Sequence, residues 1–317
     1  MYGIASQNAW YKPLLLPQAP SAPDIFRMTQ AVGQPPASNS ETAPAADSGT
    51  ETEASGKTSN SIGQSPVVQA FLLRLQELGL SLLPGTDGDD VINGWSKTLA
   101  DTGDGNDTIN VWSGSVVDAG AGDDIIKAWS DSVVYAGAGN DQIDAWSGSV
   151  VDAGDGDDIV KAWSDTTVLG GAGNDVISAW SNSKVNGGDG DDVISVWSDS
   201  VAEGGAGNDS IYAHSNALVS GGAGDDMISV GADSVVTFAR GDGHDTIYAD
   251  RNTTVKFGDG ISADKTQVSV SGNVATITFA GSDDAITLHL GPRGPATLAF
   301  ADGTAMSIEA GPRPAVG

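Results

Sequence analysis

The sequence contains no cysteine, and only 14 of its 317 residues are Lys or Arg. The first absence excludes disulfide staples and thiolate metal sites. The second stands against 42 acidic residues and a formal charge of -28. It excludes the clustered basic surface that nucleic-acid backbones need. Aromatic residues make up 6% of the chain, too few for a conventional aromatic-rich core. Long apolar runs are missing as well. Leu14-Leu15-Leu16 is stopped by Pro17, so no transmembrane span is expected. The first residues lack a basic stretch followed by an apolar core and a small-residue cleavage site, so any export is expected to be signal-peptide-independent. Histidine occurs three times, at His214, His244 and His289, and no nucleophile–base motif accompanies it. The chain is therefore expected not to be an enzyme.

What remains is glycine, 43 residues of it, with Asp, Asn, Ser and β-branched residues. Residues 1–64 divide into a segment with a few apolar anchors, Trp10, Tyr11 and Phe26 among them, and an Ala/Ser/Thr/Pro/Glu-rich stretch. The second part has too little apolar surface to offset chain entropy, so the whole reads as a disordered leader and linker. Residues 65–84 read as a capping helix. Ser65 is a candidate N-cap, Pro66 suits the first helical position, and Val68, Phe71, Leu72, Leu75 and Leu78 follow helical spacing up to Gly79.

From residue 85 to about 260 one pattern dominates. An aspartate recurs at Asp90, Asp107, Asp124, Asp141, Asp158, Asp175, Asp192, Asp209 and Asp226, in steps of 17 residues; the spacing then slips by two, to Asp245. Trp95, Trp112, Trp129, Trp146, Trp163, Trp180 and Trp197 keep the same register, and His214 and Gly231 then take the place. So strict a period means that each repeat is one coil of a stacked solenoid. A coil reads as glycine turn, strand, Trp-Ser corner, strand. The column containing Ile109, Ile126 and Ile143 and the column containing Val117, Val134 and Val151 are expected to form the core. Alternation from Ile126 puts Ala128 inward and Trp129 outward. Coils rising about 4.8 Å each give a rod roughly 45 Å long.

The turn Gly-x-Gly-(Asn/Asp)-Asp has a physical logic. Its glycines permit positive φ and aim carbonyl oxygens at one point, and the Asp adds a hard, charged oxygen. All-oxygen ligation suits Ca²⁺. One turn offers about half a coordination shell, so sites are expected between neighbouring coils. Unneutralised, like charges about 5 Å apart at an effective dielectric near 20 repel by roughly 3 kcal/mol per pair. Metal binding and folding are therefore expected to be coupled, with on the order of eight or nine ions per chain.

The stretch Gly85-Thr86-Asp87-Gly88-Asp89-Asp90-Val91-Ile92-Asn93, and more fully Gly170-Gly171-Ala172-Gly173-Asn174-Asp175-Val176-Ile177-Ser178, resembles the nonapeptide of the RTX family, the haemolysin-type calcium-binding repeats. The resemblance covers residues 85–260. It implies a parallel β-roll that folds on calcium and leaves the cell by a type I system. The segments around Phe257-Gly258-Asp259-Gly260, Ile277-Thr278-Phe279 and Phe300-Ala301-Asp302-Gly303 look like the β tail that follows such repeats. Residues 261–317 are accordingly read as a C-terminal β cap and tail. One departure matters. The family's roll has calcium turns on both sides of each coil, whereas here the second turn is a Trp-Ser corner. This is a one-sided variant, with calcium expected on one edge only.

The expected fold class is thus all-β, a parallel β-roll or β-solenoid with an N-terminal capping helix and a C-terminal β cap. The expected role is a secreted, extracellular calcium-binding repeat protein acting as a structural or surface-interaction module, adhesin-like. The indoles Trp112, Trp129, Trp146, Trp163, Trp180 and Trp197 are read either as a stiffening ladder or as a strip that binds a glycan or cell surface. An exported effector and a polysaccharide-active solenoid enzyme are the alternatives.

Overall fold

The computed structural model describes residues 73–291 and 294–310. Contacts divide the chain into two units, 1–79 and 80–317. In the first, a helix covers residues 73–78. Gly79 follows with φ 68° and donates its N–H to the Gln76 carbonyl at 3.1 Å, which ends the helix. The expected helix over 65–84 is corrected at its C-terminal end. Ser81–Pro84 is a β-strand, paired in parallel with Thr98–Asp101. Its backbone groups find partners one coil ahead, which a helix there would forgo. Residues 65–72 of that expectation, the leader and linker at 1–64, and the tail beyond 310 lie outside the described residues.

The second unit is a parallel β-solenoid of about ten coils. Each regular coil contributes one four-residue and one six-residue strand, for example Ile159–Ala162 and Thr167–Ala172. Like stacks on like, giving a short-strand sheet and a long-strand sheet, each of thirteen strands among the described residues. Register follows the sequence period: Val160 pairs with Ile143 and Ile177, and Val168 with Val151 and Val185. Where the period slips, Ile228 pairs with Ile247, so the two additional residues are absorbed in the turn and the ladder stays in step.

The core is thin and regular. Ile126 and Ala128 from the short-strand sheet face Val117 and Ala119 from the long-strand sheet, all fully buried, and the set repeats coil after coil. This is the expected Ile and Val pairing of columns, with small residues completing the layers: Ala or Val on the short strands, Ala or Gly on the long ones. The narrow alanine rows let the two sheets lie close, so a core without aromatics can still be dry.

At the C-terminal end the cross-section widens. Phe238 stands where earlier coils carry Ala119 or Gly221, and it packs with Phe257 and Phe279 at ring separations of 6.4 and 5.4 Å, while Phe257 in turn meets Phe300 at 5.0 Å. Ala285–Leu290 and Ala296–Ala299 add one last parallel strand to each sheet. Antiparallel hairpins then close both sheets: Val274–Phe279 with Thr266–Ser271, and Ala296–Ala299 with Ala305–Ile308. Reversing direction stops the parallel ladder from templating further coils.

Candidate metal edge and tryptophan corner

The glycine turns stack along one edge. In the regular coils the second and fourth turn positions have positive φ, 111° at Gly154 and 137° at Gly156. The reason is the neighbouring coil. A Cβ on Gly154 would stand 1.9 Å from the Gly137 carbonyl oxygen, and one on Gly156 2.0 Å from that of Gly139. Glycine is required there by backbone approach as much as by φ.

Behind the glycines runs the aspartate column. Asp107, Asp124, Asp141, Asp158, Asp175, Asp192, Asp209, Asp226 and Asp245 are all buried. Each Oδ1 accepts the backbone N–H of the preceding coil's aspartate: Asp141 N–H to Asp158 at 2.8 Å, Asp158 N–H to Asp175 at 2.9 Å. Each Oδ2 from Asp107 to Asp226, eight in all, is buried without a hydrogen-bond partner. Burial pushes Asp124, Asp158 and Asp192 up to about 7, and Asp141, Asp175 and Asp226 up to about 6. The N–H bond opposes that rise, and nearby carboxylates add to it. Asp245, pressed by burial and by Asp226, reaches about 8.

The column's two ends differ from its middle. Asp90 is half-exposed, and its Oδ2 accepts from the N–H and hydroxyl of Thr86 at 2.6 and 3.0 Å. Beyond Asp245 the next rung is Ile286, so the column stops there. Asp284 instead accepts from the Gly241 N–H at 3.1 Å and from the Ser282 hydroxyl.

An isolated buried carboxylate costs several kcal/mol, and eight in file compound that cost. The donor set fits a hard cation: carboxylate oxygens in column, carbonyl-lined glycine turns beside them, no nitrogen or sulfur. Among the described residues no three acidic or histidine side chains converge on one point. The rest of an ion's shell would therefore come from backbone carbonyls, as the turn motif implies. The first turn position sorts the column further. A Cβ on Gly170, Gly187, Gly204 or Gly221 would stand 2.0–2.2 Å from the Oδ2 of its own coil's aspartate. Ala119, Ala136 and Ala153 already carry a Cβ, so that placement is closed to Asp124, Asp141 and Asp158.

A second ladder, which sequence reading missed, lies just outside the first. The residue before each column aspartate accepts the N–H of its counterpart in the next coil: Asn140 N–H to Asp123 at 2.8 Å, Asp157 N–H to Asn140 at 2.8 Å. It runs opposite to the aspartate ladder. Along the chain these positions alternate, from Asn106, Asp123, Asn140 and Asp157 to Asn208 and Asp225, and the ladder gives that alternation a physical reason. Either side chain supplies the accepting oxygen, alternating with Asn halves the like charge, and Asn174 and Asn208 also donate to Asp157 and Asp191.

The opposite edge is closed by side chains. Trp112 to Trp197 stack face to face, with centroids 4.4–5.1 Å apart and planes within 6–12°. Trp95 extends the stack at 6.1 Å, and His214 ends it at 4.3 Å from Trp197. The rings point outward and most are exposed, while Ala128 is buried, as alternation implies. Three residues after each Trp a buried hydroxyl ties the corner: Ser115 donates to the Trp112 carbonyl at 2.5 Å, Thr166 to that of Trp163 at 2.8 Å. The residue between takes positive φ, 60° at Asp131 and 78° at Gly148.

A family model, RTX calcium-binding nonapeptide repeat, matches residues 115–143, 130–150, 162–194, 196–217 and 218–234. No curated protein matches the sequence. Among solved structures the chain is similar to extracellular lipase LipA from Serratia marcescens, at 18% identity and a TM-score of 0.28. The similarity covers 58% of this chain and 42% of the lipase, so this chain spans less than half of that protein's length.

Proposed function

Residues 115–234 are RTX calcium-binding nonapeptide repeats, and from that premise we propose an exported protein that takes calcium along a single edge and forms its roll on doing so. The observation that carries this reading is the file of eight buried, unpartnered Oδ2 atoms. Asp107, Asp124, Asp141, Asp158, Asp175, Asp192, Asp209 and Asp226 are the principal ligands, with Asp90 and Asp245 as the outermost. Each ion sits between successive coils, where it replaces carboxylate repulsion by attraction. Affinities of about 10⁻⁴ to 10⁻³ M, typical of extracellular modules, keep the chain open in calcium-poor cytosol and folded outside. An open chain suits threading through a type I exporter. No helix among the described residues is long and apolar enough to cross a membrane.

The protein works by contact and not by turnover. Its histidines are engaged structurally: His214 ends the indole stack, His289 stacks on Tyr248 at 4.5 Å, and His244 Nδ1 meets Asp225 at 3.2 Å. The working surface is the outer face of the short-strand sheet with the tryptophan ladder along its margin. A sugar ring stacks on an aromatic face. The faces from Trp112 to Trp197 are covered by their neighbours, so the ladder presents edges, a form that supports contact with an apolar protein or cell surface over glycan stacking.

Circular dichroism of the full chain tests the calcium reading. Strand signal should appear with millimolar calcium and collapse in EDTA at neutral pH; a strand signal indifferent to EDTA would refute it.

A further inference from the structure

The outer face of the short-strand sheet has three columns. The first is mainly aliphatic, and Val91, Ile125, Ile159, Val176, Val193 and Met227 in it are each at least 40% exposed. The second is polar, with Lys127, Asp144 and Lys161 as its only charges from Asn93 to Tyr248. The third is the tryptophan ladder. Two positive charges against one negative leave this face nearly neutral in a chain of formal charge -28. Acid lies on both edges instead: the Asn/Asp ladder beside the glycine turns, and Asp131, Asp165, Asp199 and Asp233 at the corner.

We infer that this face is where two copies of the chain pack, sheet on sheet, as a calcium-dependent dimer. The inference rests on the contact-surface reading above and names the partner. Two arguments select a second copy. The first is charge. Packing on this face buries none of the acidic columns, which stay at its two rims. Calcium strengthens the effect, because about eight bound ions would lower the charge to roughly -12 per chain. The second is area. Ten rungs at about 4.8 Å, across a band some 16 Å wide, give roughly 770 Å² per copy. That matches the ~800 Å² per partner of a stable protein interface.

The sequence also sets the symmetry. A two-fold axis along the strands, between the rungs of Lys161 and Ser178, overlaps all ten rungs with the coils running in opposite directions. Ile159 then packs on Val176 of the other copy. All three charges land opposite neutral residues: Lys127 over Tyr212, Asp144 over Ser195, Lys161 over Ser178. An axis parallel to the roll would set Lys127 on Lys127 and Asp144 on Asp144.

Sedimentation velocity on the full chain in calcium reads the result, with circular dichroism on the same samples. A dimer is expected at about 10 µM, and the pair Ile159→Lys with Val176→Lys should weaken it at least ~100-fold at unchanged strand signal. Ser195→Asp, which sets a carboxylate against Asp144, should weaken it about 10-fold, and adding Asp144→Asn should restore it. A folded wild type that stays monomeric at about 100 µM overturns the inference, whether the face then serves a cell surface, a glycan or nothing. So does a dimer indifferent to these variants. Failure of calcium to fold the chain shows separately in the dichroism and strikes the calcium reading.

Discussion

The two edges of one coil solve the same problem, reversing the chain between stacked strands, by opposite means. The tryptophan corner is complete in itself: its hydroxyls donate to tryptophan backbone carbonyls, its rings stack, and its positive-φ residue can be Gly148, Asp131 or Asn182. The glycine edge is not complete. Its backbones approach so closely that only glycine fits, and eight of its aspartates, Asp107 to Asp226, each leave an oxygen buried without a partner. On the proposed reading, metal dependence is a property of one edge, and the other sets how much order the chain can keep without metal.

Substitutions should separate the edges, and the largest effect belongs to the glycine turns. Gly154→Ala must push a Cβ into the Gly137 carbonyl at positive φ. A loss of about 3 kcal/mol or more of calcium-loaded stability is expected, with weaker calcium binding. Gly148→Asn at the corner adopts a conformation that Asn182 already holds, and should cost under about 0.5 kcal/mol. Denaturant melts of the two variants make the comparison, and equal losses would erase the distinction drawn between the edges.

Trp146→Ala removes two stacking contacts, at 4.4 and 5.0 Å, and should cost about 2 kcal/mol while leaving the number of bound ions unchanged. A drop in calcium count would show the edges to be coupled. Ser149→Ala deletes an acceptor for the Ser132 N–H at 3.2 Å and should cost about 1 kcal/mol, again without touching calcium affinity.

The smallest effect concerns pH and the long-strand sheet. Burial, with Asp101 beside it, raises Asp118 to about 6. A carboxyl with a higher pKa folded than unfolded is protonated first in the folded state. Its ionisation thus costs stability above about pH 6, and that cost fades as pH falls through 6 toward 4. Asp118→Asn should raise the melting temperature of the calcium-loaded protein at pH 8, by the equivalent of up to about 1 kcal/mol, and by about half as much at pH 5. An equal gain at both values would rule out the charge as its source.

Much of this architecture is legible in the sequence because a solenoid turns period into register. The 17-residue step pairs Val160 with Ile143 and Ile177, and alternation buries Ala128 while turning the half-buried Trp129 outward. The slip to Asp245 is visible too, although its cause is not. Phe238 widens the core there, and the turn lengthens around it. What could not be read is direction and pose. Nothing in the residue pattern says that aspartate side chains accept from the preceding coil while the Asn/Asp ladder accepts from the next, since both depend on how turns stack in space. Ser81–Pro84 shows the other limit. Helical spacing stops at Gly79, nothing in these four residues alone marks a strand, and only the partner strand, Thr98–Asp101, draws them into the sheet.

The count of calcium ions on the folded chain, measured by metal analysis after equilibrium dialysis, tests the one-edged account most directly. The account predicts about eight, one for each gap between the nine buried aspartates from Asp107 to Asp245. About twice that number would mean that the tryptophan edge binds metal as well, and a count near zero with an intact roll would contradict it outright.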